Sequence, residues 1–270
     1  MKVYTILSGQ EFIKKLLSGE RDFSRIKLEE GYNISNSEQF PELMNFLHKQ
    51  DLKQEPIILN NSELKNITIN GIYLPYLECK GTNLYRLNAL GATFDHANFS
   101  DTSLLRALLN NSSLENVLFE NADLDKVRLN NSKINKTNFK KAFLLDLSAE
   151  KSDLRNSYFE GTYMKRAKFG NSDLSESYFK DIETYEADFG GSTLDRIILL
   201  NSNCQRTNFG DSSIQNSVIQ QTLLLQSNFY GCNLEKSKIL NSQLYGTNFS
   251  KSNTEKAIFD KSNLEHSRIE

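Results

Sequence analysis

The 270-residue sequence has no tryptophan, three prolines, three cysteines and little imbalance of charge. Each scarcity removes a class of protein. Cys79, Cys204 and Cys232 are odd in number and share no CxxC spacing, which argues against a disulfide framework and a zinc site. No stretch approaches the ~18 apolar residues of a membrane span. The first apolar stretch, Val3 to Leu7, is too short for the core of a secretory leader, so the expectation is a cytoplasmic protein without membrane contact. Lys and Arg number 32 against 34 Asp and Glu, so no global field draws the chain to nucleic acid or anionic lipid, and electrostatic partners must be sought locally. The glycine-rich phosphate loops, the zinc-protease His-Glu-x-x-His and the serine nucleophile elbow are also missing.

What is present is a repeat. Every fifth residue is large and apolar: Leu59, Leu64, Ile69, Leu74, then Leu84, Phe94, Phe99, Leu104 and onward to Ile269, with no insertion. The exceptions are Cys79, Ala89, Ala149, Thr184, Cys204 and Thr254. Two residues before each centre stands a small or β-branched residue, such as Ala92, Ala97, Thr102, Ser112, Ala122, Ser152 and Ala167, and the other three positions are mostly polar. A period of five suits neither a helix at 3.6 residues per turn nor a strand at 2.0. A chain that turns a corner every five residues keeps the centres inside, and an internal repeat of this kind signals a solenoid.

The pattern resembles the pentapeptide-repeat family, whose motif is A(D/N)Lxx. Ala97-Asn98-Phe99, Ala122-Asp123-Leu124, Ser152-Asp153-Leu154, Ser172-Asp173-Leu174, Ala187-Asp188-Phe189, Cys232-Asn233-Leu234 and Ser262-Asn263-Leu264 carry the resemblance, which covers roughly four fifths of the chain. It implies a right-handed quadrilateral parallel β-helix, four repeats to a coil. Phenylalanine marks the same twenty-residue coil in two columns, Phe99 to Phe179 and Phe169 to Phe249, ten residues apart and therefore on opposite walls. About ten coils are expected from Leu59 onward, roughly 50 Å long at ~4.8 Å per coil. Gly, Asn or Asp two residues past the centre at most positions ending in 1, but rarely at those ending in 6, predicts φ > 0 turns at two diagonal corners and a different turn at the other two.

Residues 1–56 break the frame and read as an N-terminal cap, with a helix over Gly9 to Leu17, isolated repeats at Phe23 and Leu28, and a second helix from Ser37 through His48; 57–270 is the solenoid. Repeats continue to Ile269, so a homodimer through the last coil is expected, in line with what the resemblance implies for several relatives.

Beyond Leu59 no loop holds reacting groups in the way enzymes require. His48, His96 and His266 are far apart and read as solvated, the cysteines as inward packing residues, and Asp123 with Asp125 as a solvated pair. The sequence therefore indicates no enzyme, catalytic residue, metal or cofactor. One wall departs from the polar rule. Tyr85, Leu105, Phe143, Leu145, Tyr163, Tyr185, Leu223, Leu225 and Tyr245 form an apolar stripe edged by Arg86, Arg106, Arg166 and Arg206, a composition suited to a protein partner. A non-enzymatic scaffold is the leading expectation. The resemblance offers an alternative, mimicry of duplex DNA and binding to DNA gyrase, which the balanced charge and absent insertions disfavour. Single-stranded nucleic acid on the arginines and tyrosines is a third reading, interrupted by Asp125, Asp146 and Glu186.

Overall fold

A backbone that bends every five residues has too little length on each side to pair with itself, so its N–H and C=O groups must be met by the next coil. The computed structural model, which describes residues 3–269, shows that pairing. Parallel bridges join Ile58 to Glu78, Glu63 to Asn83, Thr68 to Asn88 and Tyr73 to Thr93, and repeat in steps of twenty. The result is a four-sided parallel β-solenoid. Its first wall carries the centres Leu59, Cys79 and Phe99, its second Leu64, Leu84 and Leu104, its third Ile69, Ala89 and Leu109, and its fourth Leu74, Phe94 and Leu114. Thus the first wall faces the third across the core.

Both inward positions of each repeat are buried along nearly the whole tube. In the first-wall column Phe99, Phe119, Phe139, Phe159 and Phe179 stack at 5.5, 5.5, 4.8 and 4.8 Å between ring centroids. On the third wall Phe169, Phe189, Phe209, Phe229 and Phe249 stack at 5.0, 5.4, 4.7 and 5.0 Å. These spacings match the ~4.8 Å separation of paired strands, so the ladder follows from the coil rise.

The smaller inward residues do more than fill space. Ser132, Ser152 and Thr137 donate hydroxyl protons to the carbonyls of Leu109, Leu129 and Ile134's predecessor in the column, Leu114, at 3.0, 2.8 and 3.0 Å. The serine hydroxyls of this column also accept from the coil below: Ser112 N–H donates to Ser132 Oγ, Ser132 N–H to Ser152 Oγ and Ser152 N–H to Ser172 Oγ, at 3.2, 3.2 and 3.1 Å. The Ser132 and Ser152 hydroxyls thereby each bridge two backbone groups and avoid the cost of an unpaired polar atom.

The corners depart from expectation. Left-handed φ occurs at positions ending in 6 as well as 1: Arg86 at 55°, Arg106 at 63°, Lys126 at 59° and Glu176 at 62°. Four equivalent bends are needed to close a square coil, and that closure overrides the preference of L-residues for negative φ.

At the N-terminal end, β1 (Thr5–Leu7) pairs in parallel with β2 (Ile26–Leu28). Between them lies α1 (Gly9–Leu17), started by a capping box in which Ser8 and Glu11 satisfy each other's backbone. After a 3-10 turn at Ile34–Asn36, α2 (Phe40–His48) follows, beginning three residues later than the sequence suggests. Phe12, Leu16, Leu43 and Leu47 of the helices line one apolar space with Leu59, Leu64 and Ile67 of the tube. Because Asp22, Lys27 and Asn33 already bridge to Ile58, Glu63 and Thr68, winding begins before residue 57. The solenoid therefore has about 13 turns against the ten expected.

Candidate functional site: two apolar walls

Outward side chains on a solenoid wall stack in columns, so a residue's neighbours are those twenty positions away. On the second wall Phe143 and Tyr163 stack at 5.5 Å and are 48% and 54% exposed. Leu223 and Tyr245 are also exposed, whereas Tyr85, Leu105, Leu145, Tyr185 and Leu225 are half-buried. The stripe is interrupted: Glu183 and Asn203 stand between Tyr163 and Leu223 in the bridged column.

The arginine edge divides in two. Arg166 donates to both oxygens of Asp146 at 2.7 and 2.9 Å. Arg206 donates to Tyr185 Oη at 2.8 Å and Gln226 Oε1 at 3.1 Å, with Glu186 3.9 Å away. Arg86 lies over the Tyr85 ring at 5.1 Å, and neither it nor Arg106 has an ion pair among the described residues. Tyr185 is further occupied by Lys165 over its ring at 5.2 Å. These tyrosines are engaged by cations of their own chain, which removes them as stacking platforms for bases.

The first wall was expected to be polar, yet one of its outward columns is mostly apolar from Tyr158 onward. Strands β3 (Tyr158–Glu160), β4 (Tyr178–Lys180), β5 (Ile198–Leu200), β6 (Val218–Gln220), β7 (Lys238–Leu240) and β8 (Ile258–Asp260) form a six-stranded parallel sheet in that order. Its outer face presents Tyr158, Tyr178, Ile198 and Val218 in one column, then the exposed Lys238 and Ile258. Tyr158 and Tyr178 stack at 5.2 Å, while Ile198 and Ile258 are clearly exposed. A step of twenty through these residues was available in the sequence. The two apolar walls adjoin at the corner of Gly161, Asp181, Asn201, Gln221 and Asn241.

Elsewhere the chemistry is structural. Burial pushes the thiols of Cys79 and Cys204 up to about 12 and that of Cys232 to about 11, so they remain protonated and poorly nucleophilic. His48 and His96 are exposed, but each ring stacks on a tyrosine, His48 on Tyr73 at 4.1 Å and His96 on Tyr76 at 4.6 Å. Burial raises the Asp125 carboxyl, and Asp123 and Asp146 add to that rise, against the N–H of Leu145 that it accepts. Among the described residues no group of three or more His, Cys, Asp or Glu could hold a metal ion, and no helix is long and apolar enough to cross a membrane.

The family of pentapeptide repeats matches in eight copies over residues 102–140, 148–181 and 227–265. Similar solved structures include HetL, a pentapeptide repeat protein involved in heterocyst differentiation regulation from the cyanobacterium Nostoc, at 16% identity and TM-score 0.42, covering 97% of this chain and 96% of that one. A trypsin-treated form of QnrB1, a plasmid-mediated fluoroquinolone resistance protein, is 16% identical with TM-score 0.44, covering 67% of this chain and 89% of that one. A third, a pentapeptide repeat protein from the Arabidopsis thaliana thylakoid lumen, is 21% identical with TM-score 0.24, covering 43% and 70%. The chain matches none of the curated proteins.

Proposed function

The chain belongs to the pentapeptide-repeat family, and from that premise we propose that it is a non-enzymatic cytoplasmic scaffold, closed at one end by residues 1–56, whose two adjoining apolar walls are held by one protein partner. The observation that carries this reading is the adjacency of the exposed Phe143 and Tyr163 on the second wall to the column of half-buried Tyr158 and Tyr178 with exposed Ile198 on the first. Size supports a partner that grips the edge rather than one face. Six coils of one wall offer roughly 25 by 10 Å, about 250 Å², well short of the ~800 Å² per partner of a stable interface. Two walls and their corner come closer to it, so the partner must wrap around the edge.

Duplex mimicry would need an unneutralised acidic face. On the fourth wall Asp153 and Asp173 are met by Arg155 at 2.7 and 3.6 Å, and Glu176 by Arg196 at 2.7 Å. A supercoiling assay with gyrase tests that alternative, with no inhibition expected. The scaffold reading is tested by affinity capture with the wild-type chain and with Tyr163→Glu combined with Tyr178→Glu. Loss of the captured protein supports it; identical capture by both would refute it. A second copy on the last coil, where Phe259 and Leu264 are partly buried, is a separate proposal, and sedimentation showing only monomer at high concentration would remove it.

A further inference from the structure

On the corner between the second and third walls, the residues two past each centre are stacked by backbone pairing from one coil to the next: Arg86 N–H donates to Leu105 C=O, Arg106 N–H to Asp125 C=O and Lys126 N–H to Leu145 C=O. Upward from Lys126 the column alternates in sign as Asp146, Arg166, Glu186 and Arg206, and each arginine there has a carboxylate in the coil below. Downward it does not. Arg86, Arg106 and Lys126 follow one another on three consecutive coils, all exposed, with no ion pair among the described residues. Arg128, exposed two residues beyond Lys126 on the third wall, adds a fourth unpaired cation.

Like charges at the coil spacing repel one another, and the upper half of this same corner shows how the repulsion is relieved within the chain. We propose that the lower half is a docking strip for an acidic, extended segment of a protein partner, whose carboxylates take the place that Asp146 and Glu186 hold above. The length of the strip favours a short peptide over a nucleic acid. Three coils span ~10 Å, the reach of three or four extended residues at ~3.3 Å each. Asp125 and Asp146, whose carboxylates lie near enough to feel Lys126, bound the strip at its upper end. The flanking side chains fit as well: Leu105 and Leu108 are aliphatic, and the Tyr85 ring is already covered by Arg86. Such a strip holds two carboxylates at alternate positions of an extended chain, ~6.6 Å apart, with a leucine-like residue between them lying on the aliphatic flank.

The strip borders the lower end of the second wall, below the region of Phe143, Tyr163 and Tyr178 on which the scaffold reading rests. The test is fluorescence anisotropy of a fluorescein-labelled Glu-Leu-Glu-Leu-Glu peptide with the full chain at low ionic strength. Binding that weakens at least tenfold in the Arg86→Gln, Arg106→Gln, Lys126→Gln variant is expected, with no change in Arg166→Gln combined with Arg206→Gln. Unchanged circular dichroism shows that each variant is folded, and Arg128→Glu serves as a second, single-site reduction should the triple variant misfold. Tyr163→Glu with Tyr178→Glu should leave peptide binding intact, which separates failure of this strip from failure of the scaffold reading. Absence of peptide binding, equal loss in both arginine variants, or tighter binding of a ten-nucleotide oligo(dT) would overturn the proposal.

Discussion

Replacing Ser152 with alanine tests the role of the buried hydroxyls. Ser152 Oγ donates to Leu129 C=O at 2.8 Å and accepts from Ser132 N–H at 3.2 Å. Those two backbone groups are three residues apart in one corner, the pair that a tight turn joins directly. Where the coil above supplies alanine or valine instead, they do join: Ala122 N–H donates to Phe119 C=O at 3.1 Å below Ala142, and Ala107 N–H to Leu104 C=O at 2.8 Å below Val127. In Ser152→Ala the 129–132 corner should therefore contract to the same direct bond. The expected cost is the net worth of one hydrogen bond, about 1 kcal/mol. Were the corner unable to contract, two buried groups would be orphaned at ~1–3 kcal/mol each, roughly 2–6 kcal/mol in sum. Urea unfolding combined with amide exchange at Ser132 distinguishes the cases, because exchange reports the local corner in an array whose coils open semi-independently. A loss well above ~2 kcal/mol, or exchange at Ser132 as fast as in an unfolded chain, would refute the reasoning.

Thr162 is the opposite case: its hydroxyl is buried without a partner, so Thr162→Val should raise stability by about 1 kcal/mol or more in urea melts, and a loss would show that the hydroxyl is satisfied. Phe139→Ala removes a ring stacked on both sides, at 5.5 Å below and 4.8 Å above, and should cost ~3–5 kcal/mol by the same measurement; a loss under 1 kcal/mol would mean the ladder carries little stability. For pH, hydrogen bonds from Arg166 and Arg155 hold the carboxyls of Asp146 and Asp153 below the usual aspartate value. Their contribution is present above the unfolded aspartate pKa and is lost as pH falls through the depressed folded values. Asp125, raised by burial, acts with the opposite sign and relieves strain when protonated. Arg166→Gln should flatten the acid dependence of the urea midpoint, and an unchanged slope would contradict this assignment.

The helix over Gly9–Leu17 and both phenylalanine columns were legible in the sequence, because each depends on local spacing: Phe12, Ile13, Leu16 and Leu17 on one side of the helix, a step of twenty for the columns. Five-residue arithmetic alone assigns each stripe position to a side of the tube. What spacing does not carry is whether a side chain has a partner one coil away. Arg166 and Arg86 occupy equivalent positions twenty-residue steps apart, yet one is clamped by Asp146 and the other rests on Tyr85.

The period of five was enough to place the centres inside a chain that turns a corner every five residues, while four parallel sides were what the resemblance implied, in agreement with the phenylalanine step of twenty. Tertiary structure alone decided the rest. Closure of the square set left-handed φ at corners occupied by Arg and Lys, against their intrinsic preference. Stacking turned inward serines into bridges between coils, extended the winding below residue 57, and brought a second apolar wall against the first. These features depend on which residue lies 20 or 23 positions away across a coil boundary, a relation that exists only once the chain has wound.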